Sequence, residues 1–337
     1  MTPLSPGARI GDWIVEGRLG EGGMATVYAC RHALTARLTA AVKLLRPAGP
    51  GEDPDKWFQR ETETLAALQH PGIVRILHPG VDPHSGQRFL AMERVDGQTL
   101  RQRLRSAPLG ARAARELFAS VAEALAAAHA ANIFHRDIKP SNIMIRENGT
   151  PVLLDFGIAT AADPDEQTHT AVGTPTYMAP ELFYEGAFDP ARADLYSFGV
   201  VLFESLTNQP PFGETVQQAH TSERVAATIA AKLRTPHLDP GPSVDPALQS
   251  LVRRLTALEP FSRPASMAAV AAALRAEPQL RPPLPPTAPP PPPRPLAAPP
   301  QPPPDSTLRN WIIGALIVTV ALSTIFGVAA WFIVLSL

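Results

Sequence analysis

From Ile10 to about Val95, short apolar or β-branched runs are separated by glycines and polar residues. Ile14-Val15, Thr26-Val27-Tyr28, Ala40-Ala41-Val42, the run 73–77 and Phe89-Leu90-Ala91-Met92 each read as a strand. One helix interrupts them. Asp53-Pro54 supplies a cap and a first-turn proline, and Phe58, Leu65 and Leu68 then recur at helical spacing up to His70-Pro71. Past Gly97 the texture becomes helical: Pro108 opens a stretch in which Leu117, Val121 and Leu125 repeat every four residues. Asp189-Pro190 and Asp245-Pro246 repeat the cap-plus-proline start. The pattern predicts an α+β chain, with a small sheet lobe carrying one helix over about 10–95 and a larger, mainly helical lobe over about 96–276. A cleft between two such lobes is a common place for a small-molecule site.

Composition changes the picture beyond residue 276. Of 39 prolines in 337 residues, 16 fall within 278–304, where missing backbone donors and fixed φ leave no means of building a core. Residues 277–310 therefore read as a proline-rich, disordered linker in the extended polyproline II form, which at ~3.1 Å per residue would span roughly 80 Å over those prolines. Residues 311–335 are uncharged and apolar, framed by Trp311 and Trp331, and long enough for a transmembrane helix. Residues 1–9 form a short tail with no signal-peptide pattern, and Arg309 flanks the near side of the apolar run. The expectation is a single-pass anchor in the cell membrane lipid bilayer, with residues 10–276 in the cytoplasm. A net charge of -1 offers no basic footprint for nucleic acid, and Cys30 alone excludes a disulfide framework and a thiolate metal site within one chain.

Three strings carry chemistry. Gly20-Glu21-Gly22-Gly23-Met24-Ala25 lies between two predicted strands, where it can close over phosphates or simply turn a hairpin. Lys43 ends Ala41-Val42-Lys43 on an apolar strand; it needs a partner such as Glu61 unless it reaches water at an edge. His135-Arg136-Asp137-Ile138-Lys139-Pro140-Ser141-Asn142 packs four ionisable groups and an amide into eight residues, and Asp155-Phe156-Gly157 follows the apolar Val152-Leu153-Leu154. Asn142 and Asp155 are hard oxygen ligands of the kind Mg²⁺ takes beside phosphates.

In order and spacing these strings resemble the protein kinases, and specifically the bacterial membrane-anchored serine/threonine kinases of eukaryotic-like type, over about Ile10 to Leu274. Ala25 stands where the third glycine of the glycine-rich loop is expected. The resemblance implies the bilobal protein-kinase fold and transfer of the ATP γ-phosphoryl group to Ser/Thr hydroxyls of protein substrates. It implies ATP and Mg²⁺, with Mn²⁺ as a substitute. Asp137 would take the acceptor proton, Lys139 would neutralise the moving phosphoryl group, and Asn142 and Asp155 would hold the metal. Lys43 would bind the α/β-phosphates and pair with Glu61. Gly20 and Gly22 would approach the phosphates, Leu19, Val27 and Ala41 would cover the adenine, and Met144 would form its floor. Met92 takes the gatekeeper position, with hinge backbone at Glu93 and Val95. Ala179-Pro180-Glu181 closes the activation segment, with Glu181 pairing with Arg263, and Asp194 resembles the buried helix aspartate that braces the catalytic loop. Lys139 and Gly173-Thr174-Pro175 resemble serine/threonine rather than tyrosine specificity.

Two regulatory expectations follow. Arg136 directly precedes Asp137, and Thr168 and Thr170 stand where an activation-loop phosphate that binds such an arginine is expected. In the apolar run, Ala315, Thr319, Ser323 and Gly327 form a stripe of small residues suited to a homodimer. His129 and Cys30 read as packing residues.

Overall fold

Ala40, Val42 and Leu44 point to one side of their strand, and Ala41 points to the other. The even residues pack with Ile10, Trp13, Val15, Tyr28, Cys30, Phe89 and Ala91 in a small core. Ala41 instead joins Leu90 and Met92 in the larger core shared with the helical lobe. Because strand side chains alternate, Lys43 stands on the same face as Ala41, turned toward the other lobe. The strand thus separates a structural face from a cleft face.

The computed structural model describes residues 3–22, 25–46, 62, 65–156, 175–184, 186, 188–213 and 221–276. Glu61, Thr168, Thr170, the linker and the apolar run 311–335 lie outside them, as does most of the helix expected after Asp53-Pro54, of which Thr62 and residues 65–67 are helical. Among the described residues no helix is long and apolar enough to cross a membrane.

Strands β1 (Arg9–Ile10), β2 (Trp13–Glu21), β3 (Ala25–His32), β4 (Thr39–Leu45), β5 (Ile76–Val81) and β6 (Arg88–Glu93) form an antiparallel sheet in the order β1-β2-β3-β4-β6-β5. The strand expected over 73–77 is displaced, because its apolar run is shared between two sheets. Ile73 bridges Leu153, and the Val74 amide donates to the Leu153 carbonyl at 2.9 Å, so only residues from Ile76 onward join the large sheet.

A second sheet of β7 (Gln98–Thr99), β8 (Ile143–Ile145) and β9 (Pro151–Leu153) underlies the cleft. Gly97 leads into it at φ +146°, where a Cβ would lie 2.1 Å from the Ile145 carbonyl oxygen, so only glycine fits. Helix α1 (Leu100–Leu104) opens with a reciprocal capping box between Thr99 and Gln102. Helix α2 (Ala111–Ala130) buries Ala114, Phe118, Ala122 and Leu125, one stripe at helical spacing.

Helix α3 (Pro190–Thr207) has Asp189 accepting from the Ala191 and Arg192 amides and proline in its first turn, the start signal read from sequence. From Ala193 to Leu206 every residue is buried, as in a helix enclosed on all sides. Helix α4 (Thr221–Arg234) follows, and α5 (Pro246–Leu255) is capped by Asp245 in the same manner. Helix α6 (Met267–Arg275) is capped by Ser266 and packs on α2.

Candidate active site

The site is organised from beneath by Asp194 of α3, which is 1% exposed. Its carboxylate accepts the His135 amide at 2.8 Å and the Arg136 amide at 2.9 Å, and His129 Nε2 of α2 lies 2.9 Å away. Two amides of the loop 135–142 are therefore clamped onto the most enclosed helix of the lobe. The clamp has work to do, because Arg136 sits at φ +60° and Asp155 at +50°, conformations unfavourable for residues other than glycine. Such strain persists where surrounding structure enforces it, commonly at functional sites. The buried His135 ring also lies 4.6 Å from the ring of Phe156, tying the loop to the residue after Asp155.

Above this base the polar groups converge. Lys139 Nζ donates to Asp137 Oδ2 at 2.6 Å, and Asn142 Nδ2 donates to the same oxygen at 3.0 Å and to the Asp137 carbonyl at 2.9 Å. Among the described residues Asp137 Oδ1 accepts no hydrogen bond. The Leu154 amide donates to the Asn142 carbonyl at 2.8 Å, which places Asp155 beside Asn142. Lys43 Nζ then reaches across from β4 to Asp155 Oδ1 at 2.9 Å. Two polar groups thus meet across the lobes, Lys43–Asp155 and Asp137–Lys139–Asn142, joined by the backbone bond between Leu154 and Asn142.

These bonds also determine which atoms face a ligand. Asn142 is oriented by its amide nitrogen, which leaves Oδ1 as an oxygen donor, and Asp155 retains Oδ2 after Lys43 takes Oδ1. Two hard oxygens on adjoining backbone fit a divalent cation of the Mg²⁺ type.

The apolar wall lies beside them. Ala41 and Met92 are register partners on β4 and β6, both buried, and Val27, Val95 and Met144 pack against the same core. Leu19 is half-exposed at the rim. Gly20 pairs with Val27 in the β2–β3 ladder, and the Gly22 amide closes the hairpin on the Ala25 carbonyl at 2.9 Å. A Cβ at Gly20 would meet nothing within 4 Å, so the strand offers bare backbone at that point. The Glu93 amide is held by the Arg75 carbonyl at 2.8 Å, and its side chain pairs with Arg146 at 2.7 Å. Arg136 is exposed at the lip of the site, with no ion pair among the described residues. A separate groove of about 820 Å³, lined by residues including Leu109, Leu117, Ile145 and Arg275, contains none of the five polar residues.

The protein kinase domain family matches residues 13–274. The chain belongs to the protein kinase family. Over 254 residues it is 38% identical to the serine/threonine-protein kinase PknB of Mycolicibacterium smegmatis, covering 73% of this chain and 39% of that one. It is 34% identical over 250 residues to PrkC of Bacillus subtilis, covering 73% and 37%. The chain thus spans about two-fifths of the length of these curated relatives. The kinase domain of Mycobacterium tuberculosis PknI has a similar structure, with a TM-score of 0.61 at 28% identity, covering 81% of this chain and 98% of that one.

Several supports of the kinase site escape a reading of sequence alone. His129 is no mere packing residue, since it meets Asp194 65 positions away. Arg101 of α1 donates to Glu204 and to the Tyr177 hydroxyl, and that hydroxyl donates to Glu204 at 2.7 Å. The Glu181–Arg263 pair is bidentate, at 2.6 and 2.8 Å, with the arginine side chain fully buried. The Glu181–Arg263 pair was expected from the resemblance; the partners of His129 and Arg101 are too distant in sequence to leave a local spacing.

Proposed function

We propose that the chain transfers the γ-phosphoryl group of ATP to serine or threonine hydroxyls of protein substrates. The carrying observation is Asp137. Lys139 and Asn142 occupy Oδ2, and Oδ1 accepts no hydrogen bond among the described residues. The protein hydroxyl gives its proton to that oxygen as its own oxygen bonds to the γ-phosphorus, and the bond to the β-phosphate oxygen breaks to leave ADP. Lys139 and Lys43 supply fixed positive charge for the transferring and the α/β-phosphates, a stabilisation that needs no reorganisation when charge develops. Mg²⁺, or Mn²⁺ in its place, supplies charge neutralisation on the phosphate oxygens when bound by Asn142 and Asp155. Val27, Ala41, Met92 and Met144 enclose the adenine, and the carbonyl of Glu93 and the backbone of Val95 meet its edge. The Lys139 spacing and the serine/threonine kinases among the relatives support a hydroxyl acceptor of that type. Asp137→Asn is expected to lower transfer about 10²–10⁴-fold, the range of one general base, with ATP binding retained in a nucleotide-binding assay.

Arg136 supports a regulatory reading. Its backbone is pinned while its guanidinium is exposed, so a phosphate on Thr168 or Thr170 would find a rigid cationic partner. A Thr168→Ala/Thr170→Ala double variant is then expected to lose activation on preincubation with ATP; unchanged activity contradicts the reading. Membrane anchoring through 311–335, with self-association along Ala315, Thr319, Ser323 and Gly327, is supported by the uncharged apolar sequence and its small-residue stripe. Cell fractionation with and without that segment checks the anchor, and a Ser323→Ile/Gly327→Ile variant in a membrane self-association reporter checks the stripe.

A further inference from the structure

Lys232 is one of four lysines in the chain and is 1% exposed on α4. It forms no ion pair among the described residues. Its ammonium donates to the Thr176 carbonyl at 2.8 Å and the Met178 carbonyl at 2.7 Å. It also lies 4.8 Å from the centre of the Tyr196 ring and 4.5 Å from that of Phe212. Desolvation holds its pKa well below the lysine value, with Arg263 acting in the same direction and Glu181 opposing. A buried cation held only by carbonyl dipoles and aromatic faces is a costly arrangement, so what it holds in place matters.

It holds the end of the activation segment. The carbonyl between its two acceptors, that of Tyr177, accepts from Ser197 Oγ at 2.8 Å. Three consecutive carbonyls are therefore fixed by side chains of α3 and α4. Ser197 lies one turn of α3 beyond Asp194, the residue that clamps the catalytic loop, so both segments are anchored side by side on one rigid helix. Pro175, Thr176 and Met178 remain partly exposed. Anchoring one helical turn apart on α3 sets this strip beside the loop that carries Asp137.

We propose that Lys232 is a positioning residue for the protein substrate, fixing the 176–178 backbone so that it presents a preformed surface to the residues flanking the acceptor. The proposal rests on Asp137 as the acceptor site. Its effect falls on protein binding and leaves nucleotide binding alone, because among the described residues no hydrogen bond or ion pair connects Lys232 to Lys43, Asn142 or Asp155. Steady-state kinetics of the full chain with ATP and myelin basic protein test it. Lys232→Met is expected to raise KM for myelin basic protein about tenfold or more while KM for ATP stays within about twofold. Lys232→Gln, which keeps two N–H donors, is expected to recover part of that loss. An unchanged KM for the protein substrate overturns the proposal. So does a parallel fall in all parameters for both variants that follows the folded fraction measured by circular dichroism. Wild-type chain inactive on the same substrate, or an Asp137→Asn chain still active, would instead strike at the acceptor-site reading.

Discussion

Two ionic clusters, one across the cleft and one around α3, both pair acidic with basic side chains and differ in how many of their bonds are already made. Around the cleft, the side chains of Asp137 and Lys139 are each 24% exposed, and those of Lys43 and Asp155 are 14% and 31% exposed. Around α3, Arg263 and Asp194 have side-chain exposures of 0% and 1%. The cleft cluster keeps, among the described residues, two acceptor atoms without a hydrogen bond, Asp137 Oδ1 and Asp155 Oδ2. In the dry cluster, Arg263 donates to Glu181 and to the carbonyls of Ala257, Arg192 and Leu258. A group with every bond satisfied can hold geometry and do little else; a group left one bond short can act on a substrate. Charge pairs here divide by unused valence more than by position in the sequence.

The comparison breaks first at Arg263. Its replacement by methionine removes a fully buried guanidinium that bonds Glu181 and three carbonyls and should cost about 3–5 kcal/mol, seen as a lower urea midpoint at unchanged slope. A cost under about 1 kcal/mol would place this pair with the exposed class. Lys43→Met sharpens the other side. Removing one charge stabiliser should lower transfer about 10²–10³-fold, while the loss of a solvent-accessible ion pair should cost stability about 1 kcal/mol or less.

The smallest effect concerns pH. Burial lowers the His135 pKa below 6.5, against the opposing pull of Asp194 and Asp137. Between that lowered value and about 6.5 the unfolded chain binds a proton that the folded chain does not, so His135 takes stability away as pH falls through this window. Melting temperatures from pH 7.5 down to 5 should therefore decline less steeply in His135→Phe than in the wild type; identical slopes would mean that His135 contributes no such linkage.

Much of the fold was legible because its signals are local. Asp189-Pro190 and Asp245-Pro246 became helix caps with proline in the first turn. The run 73–77 was misplaced because periodicity cannot show that one apolar stretch serves two sheets. The motif strings named Asp137, Lys139, Asn142 and Asp155, which the fold brings into two bonded groups, Asp137–Lys139–Asn142 and Lys43–Asp155, joined through the Leu154 amide on the Asn142 carbonyl. Of their supports, Asp194 and the Glu181–Arg263 pair came with the resemblance, and the rest were not legible. Lys232 lies in an alanine-rich helix where a lysine reads as solvent-facing, and its carbonyl partners are 54 and 56 residues away. Only tertiary contact reveals that kind of burial.

The central claim is that Asp137, held by Lys139 and Asn142, is the base for phosphoryl transfer to a protein hydroxyl. Incubating the full chain with radiolabelled ATP, Mg²⁺ and myelin basic protein, beside its Asp137→Asn variant, tests it most directly. The account predicts label on serine and threonine with the wild-type chain and a loss of about 10²–10⁴-fold in the variant. Equal labelling by the two chains, or none by the wild type, would contradict it.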